Sequence, residues 1–213
     1  MKYDRIQEML RYITPGLFLM ALILLIHFEE LIEDKTLLET VKGFEAIIIA
    51  LMPFVGFVLG YLIECMMTWV ERGLYCVRIS RPSRKVLHGK SELYKLDEKY
   101  ADAILDGELV NDNKTANKFQ QIAKQEVGNN DLVNRYYYQS IMARHILGAQ
   151  LIASIYWLGF AGGWSLWHLV YAVFFIVVLV FFWYHQNCVY MKYLFAEYAK
   201  IILSHQKKTS IDE

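Results

Sequence analysis

The stretch LVYAVFFIVVLVFFWY, residues 169–184, decides the fold, because it contains neither a charged residue nor a polar stripe. A helix at the surface of a soluble protein carries a polar face, so a helix of this composition is typical of a membrane span. The stretch lies within a longer run, residues 145–191, that contains no Asp, Glu, Lys or Arg. A helix rises about 1.5 Å per residue and a bilayer core is about 30 Å thick, so this run is long enough for two crossings.

Two further charge-free runs, residues 12–28 and 46–63, are each long enough for one crossing. The longest run divides at a glycine-rich break, residues 159–163, and Trp157, Trp164 and Trp167 flank this break as an interfacial aromatic belt would. We therefore predict spans at residues 12–28, 46–68, 146–162 and 165–188. The predicted fold class is all-α: a four-span helical membrane protein with a small helical cytoplasmic domain between spans 2 and 3.

The overall composition excludes several classes of protein. The chain has 213 residues with 22 basic and 22 acidic side chains, and this neutral balance excludes a globally basic nucleic-acid binder. Three cysteines are too few for a disulfide scaffold. The sequence contains no HExxH motif, P-loop, GxGxxG or GxSxG pattern. We accordingly expect no cofactor, no metal and no enzymatic activity.

The distribution of Lys and Arg predicts the topology, because cytoplasmic loops are enriched in these residues. Residues 64–144 are rich in Lys and Arg, whereas residues 29–45 are mainly acidic. We therefore expect an inner-membrane protein with cytoplasmic N- and C-termini and an acidic external loop at 29–45. The predicted divisions are 1–69 with spans 1 and 2, 70–144 as the cytoplasmic helical region, 145–191 with spans 3 and 4, and 192–213 as a cytoplasmic tail.

Within the cytoplasmic region the pattern predicts helices separated by Pro, Gly and Asn signals. Span 2 is expected to continue to Ser80, where Pro82 ends it and residues 84–90 form a loop. A second helix is expected to begin at Ser91, with that side chain as its cap. The later predicted elements are a polar helix over 114–127, a break at 128–131 and a helix from Leu132 into span 3.

Glu64 is the most unusual residue of span 2, because an ionisable group inside a bilayer is costly. One interpretation is an interfacial carboxylate that pairs with Arg72 or another basic residue. The other is a pore-lining or ion-coordinating ring in an oligomer. Gly56 and Gly60 form a GxxxG pattern on the same helix, which fits either packing within the chain or an oligomer contact. We predict Gly56, Gly60 and Glu64 as a pore or oligomer contact.

Basic and aromatic residues near the inner interface form the second candidate site. We predict that they contact lipid, a cytoplasmic ligand or a partner, and a nucleic-acid or nucleotide contact is a further alternative. Arg81 and His88 are spaced much as an arginine and a histidine are in HEPN-type ribonucleases, which leaves a membrane-tethered nuclease as an alternative. The residues of this candidate site are Arg72, Arg78, Arg81, Arg84, Lys85, Arg135, Tyr138 and Arg144.

The layout as a whole resembles small accessory membrane proteins of bacterial anti-phage defence. The stretch RYITPG at 11–16 opens span 1, and the stretch RYYYQSIMARH at 135–145 opens span 3. The membrane subunit of Kiwa-type systems and the transmembrane accessories of type VI CRISPR loci are similar in architecture over the whole chain. The resemblance implies an oligomer that senses infection at the membrane or perturbs the membrane when triggered.

These observations together lead to a functional expectation. We expect a homo-oligomeric sensor or pore-type effector in contact with membrane lipid, whose cytoplasmic helices receive a signal from a soluble protein partner. A channel or transporter for a small solute or ion is the alternative, and it requires polar groups within the spans.

Overall fold

A computed structural model describes residues 2–28, 33, 43–76, 81–87, 93–105, 113–160 and 166–212. Its side chains are described within these ranges except at 2–8, 75–76, 160, 166, 168 and 208–212. The described residues are helical apart from short turns and connections, and they contain no strand. The helices are α1 (Lys2–Ile26), α2 (Glu45–Cys76), α3 (Pro82–Leu87), α4 (Glu98–Leu105), α5 (Asn113–Val127), α6 (Asp131–Phe160) and α7 (Leu166–Asp212).

The chain divides into two compact units. The first unit comprises Met1–Glu71 and Ile141–Phe182, and the second comprises Arg72–Ser140 and Trp183–Glu213. The second unit thus combines residues that precede span 3 with the C-terminal part of α7.

Four described helices, α1, α2, α6 and α7, are long and apolar enough to cross a membrane. Large apolar side chains on them are open to the surroundings: Phe54 is 68% exposed and Phe181 is 72% exposed. An exposed apolar surface of this extent is typical of a helix that contacts lipid or another protein. The prediction of an all-α, multi-pass membrane protein is confirmed at this level.

In the first unit, small residues bring α1 and α2 into contact through their backbones. A Cβ atom added to Gly16 would lie 1.8 Å from the carbonyl oxygen of Gly56, and one added to Gly60 would lie 1.8 Å from that of Tyr12. On α6, a Cβ added to Gly148 would lie 2.6 Å from the Met67 side chain. Helices α1 and α6 therefore both pack closely against α2.

The second unit has an apolar core of its own. Its buried side chains come from α3, α5 and the second half of α7, and they include Val86, Phe119, Ala123, Leu194 and Phe195. The apolar stripes of the short helices thus pack on one another and on α7, which supplies the surface that none of them has alone.

Helix α5 and the break after it agree with the sequence-based expectation. Gly128 has a φ of 60°, the left-handed conformation that favours glycine after a helix. The Asn130 side chain accepts hydrogen bonds from the backbone N–H groups of Leu132 and Val133, at 3.0 and 3.2 Å. It therefore caps α6 at the predicted place.

Two predictions in this region are wrong. Residues 84–87 are not a loop, because Pro82 begins the short helix α3; proline is well tolerated in a first helical turn. Residues 93–97 are not helical, and α4 begins at Glu98, with the Asp97 side chain accepting a bond from the Lys99 N–H. Helix α7 extends beyond the predicted span 4 and continues to Asp212. The continuation of span 2 to Ser80, most of the acidic loop, Ser91 as a cap and the turn at 162–163 lie outside the described residues.

Candidate functional site

A cluster of ionisable side chains joins α1, α2 and α6 inside the first unit. We call it the charged centre, and it consists of Arg11 from α1, Glu64 and Glu71 from α2, and Arg144 and His145 from α6. Each of these side chains lies at or near the end of a charge-free run. The three helices thus meet at one level through groups of opposite charge.

Glu64 is the middle of the charged centre. One of its carboxylate oxygens, Oε1, contacts the Arg144 guanidinium and lies 3.7 Å from that of Arg11. The other, Oε2, contacts Nε2 of His145. The Glu64 side chain is 19% exposed and that of His145 is fully buried. This carboxylate therefore bonds to partners that lie about 80 residues further along the chain and to one on α1.

Glu71 extends the charged centre by one more ion pair. Arg144 donates a hydrogen bond of 2.9 Å from Nη1 to the Glu71 carboxylate, while its Nη2 contacts Glu64. The two carboxylates are seven positions apart on α2, so they lie on the same face of that helix. Arg144 thus bridges two successive levels of α2, which fixes the register between α2 and α6.

Tyr12 covers the centre on the side of α1. Its hydroxyl accepts a hydrogen bond of 3.0 Å from Arg11, whose guanidinium carbon lies 4.9 Å from the Tyr12 ring centroid. The Tyr12 ring also lies nearly parallel to the His145 ring, with centroids 6.1 Å apart. The aromatic ring limits access of water to the ion pairs, which strengthens their electrostatic attraction.

The predicted pore or oligomer contact is distributed as follows. Gly56 and Gly60 face α1 of the same chain, where Leu17 and the Tyr12 carbonyl lie against them. Their close packing is therefore within the chain, one of the two alternatives that the sequence leaves open. The partners of Glu64 in these ion pairs are Arg11, Arg144 and His145 of the same chain.

The predicted ligand, lipid or partner residues separate into several environments. Arg144 belongs to the charged centre. Nη1 of Arg81 donates a hydrogen bond of 3.1 Å to the side-chain oxygen of Asn117. The backbone N–H of Arg81 donates a hydrogen bond of 3.2 Å to the side-chain oxygen of Asn113. Lys85 lies over the rings of Tyr94 and Tyr184, with its Nζ about 5 Å from each centroid. Arg81 and Lys85 thus hold α3 in the second unit.

The remaining residues of that candidate site do not gather at one place among the described contacts. Arg72 and Arg135 are exposed, Arg84 is half-buried, and the ring of Tyr138 lies 5.8 Å from that of Tyr137. Arg78 and His88 lie outside the described residues. The distance between Arg81 and His88, on which the nuclease alternative depends, is therefore not described.

A basic groove lies on the second unit. It has a volume of about 510 Å³, and Tyr100, Leu203, Ser204 and Gln206 form part of its walls. Three lysines, Lys99, Lys200 and Lys207, line it without an acidic side chain among the lining residues. Lys200 also pairs with Glu197 at 2.6 Å. The charge of the groove favours an acidic surface or another anionic group.

Among the described side chains, no three of the types His, Cys, Asp and Glu are arranged so that they could hold a metal ion. Of the two cysteines whose side chains are described, Cys65 is exposed and Cys188 is buried. Both are free thiols.

Sequence reasoning identified Glu64 and Arg144 but assigned them to different sites, and it did not select Arg11, Glu71 or His145. A signal for the cluster is nevertheless present. Arg11 directly precedes the run 12–28, Glu64 directly follows the run 46–63, and Arg144 directly precedes the run 145–191. Because spans 1 and 3 begin where span 2 ends, antiparallel packing places these three residues at the same end of the spans.

No family model matches this chain, and neither a curated protein nor a solved structure matches it.

Proposed function

We propose that this protein is an oligomeric sensor or pore-type effector of a bacterial inner membrane that acts in anti-phage defence. Its second unit, on the cytoplasmic side, receives a signal from a soluble protein partner. The charged centre is the observation that supports this proposal most strongly. Three candidate spans are held together by ion pairs rather than by apolar packing alone, and ion pairs can exchange partners or water when a conformation changes.

Helix α6 connects the two halves of this proposal. Ser140 belongs to the second unit, and Arg144 and His145, a few residues further along the same helix, belong to the charged centre. A displacement of α6 caused by a partner would therefore act on the bonds to Glu64. Separation of those bonds would expose charged groups between spans, which favours the entry of water and ions.

The basic groove is the surface that we assign to the soluble partner. Its three lysines would attract an acidic surface and increase the rate of association. The groove includes residues of α4 and α7, so a bound partner would contact both helices.

The test is leakage of a fluorescent dye from liposomes that contain the purified full chain. Arg144→Gln removes the bridge between Glu64 and Glu71, so we expect this variant to leak faster than the wild type without any partner. Lys95→Gln is the matched control, because Lys95 pairs with Glu98 at an exposed position. Liposomes that stay tight with all three proteins, together with a monomeric particle mass in detergent, would contradict the pore-type proposal.

A proton- or ion-coupled transporter is a second candidate, and the contact between Glu64 and His145 favours it. Both groups are ionisable and lie within helices that could span a membrane. In that case Glu64→Gln should abolish proton flux across the liposome membrane, whereas flux that this substitution leaves unchanged excludes Glu64 as the coupling group.

A further inference from the structure

Pro15 leaves one backbone carbonyl of α1 without its helical partner. In an α-helix the N–H of residue 15 would bond to the C=O of residue 11, but proline has no N–H. The Arg11 oxygen is instead 3.2 Å from Nδ1 of His145, which comes from α6. A carbonyl oxygen only accepts hydrogen bonds, so Nδ1 of His145 carries a hydrogen and donates it to Arg11.

The other nitrogen of the same ring also faces an acceptor. Nε2 of His145 contacts Oε2 of Glu64, and the ring is fully buried, so water does not take the place of either partner. With Nδ1 already protonated, the contact at Nε2 requires one more proton. Two guanidinium groups, those of Arg11 and Arg144, contact Glu64 and favour its carboxylate form, so the proton resides on the imidazole.

We infer that Glu64 and His145 form a buried proton-binding site that holds α1, α2 and α6 together. When the proton is bound, His145 bridges the Arg11 carbonyl and the Glu64 carboxylate. When the proton leaves, the Nε2 lone pair faces a carboxylate lone pair, and the bond between His145 and Glu64 is lost, whereas the bonds of Arg144 to α2 remain. The inference concerns the chemistry of the first unit and is independent of any role in defence.

The charged groups around the site determine how firmly it holds the proton. Arg11 from α1 and Arg144 from α6 contact Glu64 and favour release of the proton, whereas Glu71 from α2 pairs with Arg144 and offsets part of that effect. Tyr12 from α1 stacks on the ring, and Tyr61 from α2 lies 6.1 Å from Tyr12. Positive and negative neighbours thus act on the bound proton in opposite directions.

The sign of the pH dependence follows from these contacts. The bond from Nε2 of His145 to Oε2 of Glu64 exists only while the proton is bound, so it is present at low pH and is lost when the proton leaves. A rise in pH should therefore weaken the contact of α6 with α2, while the bond from Nδ1 to the Arg11 carbonyl of α1 remains.

The experiment uses the full chain in lipid nanodiscs with ¹⁵N-labelled histidine, and it follows the imidazole nitrogens by NMR from about pH 5 to pH 9. We expect one histidine to carry hydrogen on both nitrogens at low pH and to lose the Nε2 hydrogen, but not the Nδ1 hydrogen, as the pH rises. The absence of this signal in His145→Gln assigns it.

Pro15→Ala provides a second variant that leaves both members of the pair in place. It restores an N–H at position 15, which competes for the Arg11 carbonyl and weakens the bond to the protonated ring. The ring keeps its Nδ1 hydrogen in both states, so the midpoint should fall by about half to one pH unit, the difference between a hydrogen bond from a charged ring and one from a neutral ring. Pro53→Ala makes the same change in α2, away from the centre, and should leave the midpoint unchanged.

Two results would overturn the inference. One is a His145 ring that keeps a single protonation state throughout the titration, and the other is a midpoint that Pro15→Ala and Pro53→Ala affect equally. Neither depends on leakage or on a partner, so failure here is distinguishable from failure of the sensor or pore proposal.

Discussion

Gly60 of α2 lies directly against the backbone carbonyl of Tyr12 in α1, so closely that a Cβ atom at position 60 would be 1.8 Å from that oxygen. Such a distance is far inside van der Waals contact, and the obstacle is backbone rather than a flexible side chain. The packing of α1 on α2 therefore depends on the absence of a side chain at this position.

We expect Gly60→Ala to push α1 away from α2 and to lower the thermal stability of the detergent-purified protein. The loss should be on the order of 1–3 kcal/mol, as for other overpacked sites. Gly73→Ala is the matched control on the same helix, because nothing lies within 4 Å of its added Cβ. The Gly73→Ala substitution should leave the stability unchanged or raise it slightly, because alanine has a higher helix propensity than glycine. Equal effects of both substitutions would show that α1 and α2 do not pack through Gly60.

The ion pair between Glu64 and Arg144 is expected to show strong energetic coupling. Both side chains are mostly buried, so removal of one leaves the other without its main partner. A double-mutant cycle with Glu64→Gln and Arg144→Gln should give a coupling free energy of about 0.5–3 kcal/mol. The exposed pair Lys95–Glu98 provides the comparison cycle, for which we expect no measurable coupling. Additive effects at Glu64 and Arg144 would contradict the charged centre.

Tyr94 is expected to make the second unit sensitive to alkaline pH. Burial raises the pKa of its hydroxyl above the usual value of about 10, and Cys188 nearby adds to this effect. The hydroxyl also shares a hydrogen bond of 2.7 Å with Nδ1 of His185. Because folding favours the neutral phenol, this stabilisation is present below about pH 10 and is lost as the pH rises above it.

To test this expectation, the melting temperature is measured by circular dichroism at several pH values from neutral to about pH 11. Tyr94→Phe should weaken the alkaline decline in stability, at the expense of a lower melting temperature at neutral pH. Tyr171→Phe serves as the control, since that ring is exposed on α7. An alkaline decline that Tyr94→Phe leaves intact would assign the effect to another group.

Lys85 is expected to stabilise the second unit through its two aromatic neighbours. Its Nζ lies 5.1 Å from the Tyr94 ring and 5.0 Å from the Tyr184 ring, within the range of a cation–π interaction. Lys85→Met keeps the length of the side chain but removes the charge, and we expect a loss of about 0.5–2 kcal/mol. Lys99→Met, on the open wall of the basic groove, should have a much smaller effect on chemical denaturation. Similar losses for both variants would argue against the cation–π contacts.

The sequence predicts the elements of this fold better than the contacts between them. The spans follow from charge-free runs, and α5 and the start of α6 follow from Gly128 and Asn130, because both signals are local. Pro82 shows the limit of such signals: a proline is compatible with the end of one helix and the first turn of the next. The C-terminal part of α7 places Leu194 and Phe195 in a core that also contains residues remote in sequence, such as Val86 and Phe119.

The charged centre was only partly predictable for a related reason. An ionisable residue at the border of a span is visible in the sequence, and Glu64 is an example. Its partners are not, because they lie 80, 81 and 53 positions away, and only the packing of three helices selects Arg144, His145 and Arg11 from the other basic residues. The bond from His145 to the Arg11 carbonyl additionally requires that Pro15 leave that carbonyl free.

The separation of 134 residues between Arg11 and His145 also has a consequence for biogenesis. During translation, Arg11 and Glu64 emerge from the ribosome long before Arg144 and His145. Helices α1 and α2 would therefore enter the bilayer as a hairpin in which Arg11 is the counter-ion of Glu64, and the remaining bonds would form only after α6 is inserted. Arg11 would thus be the first partner of Glu64 during assembly, whereas in the completed structure it is one of three.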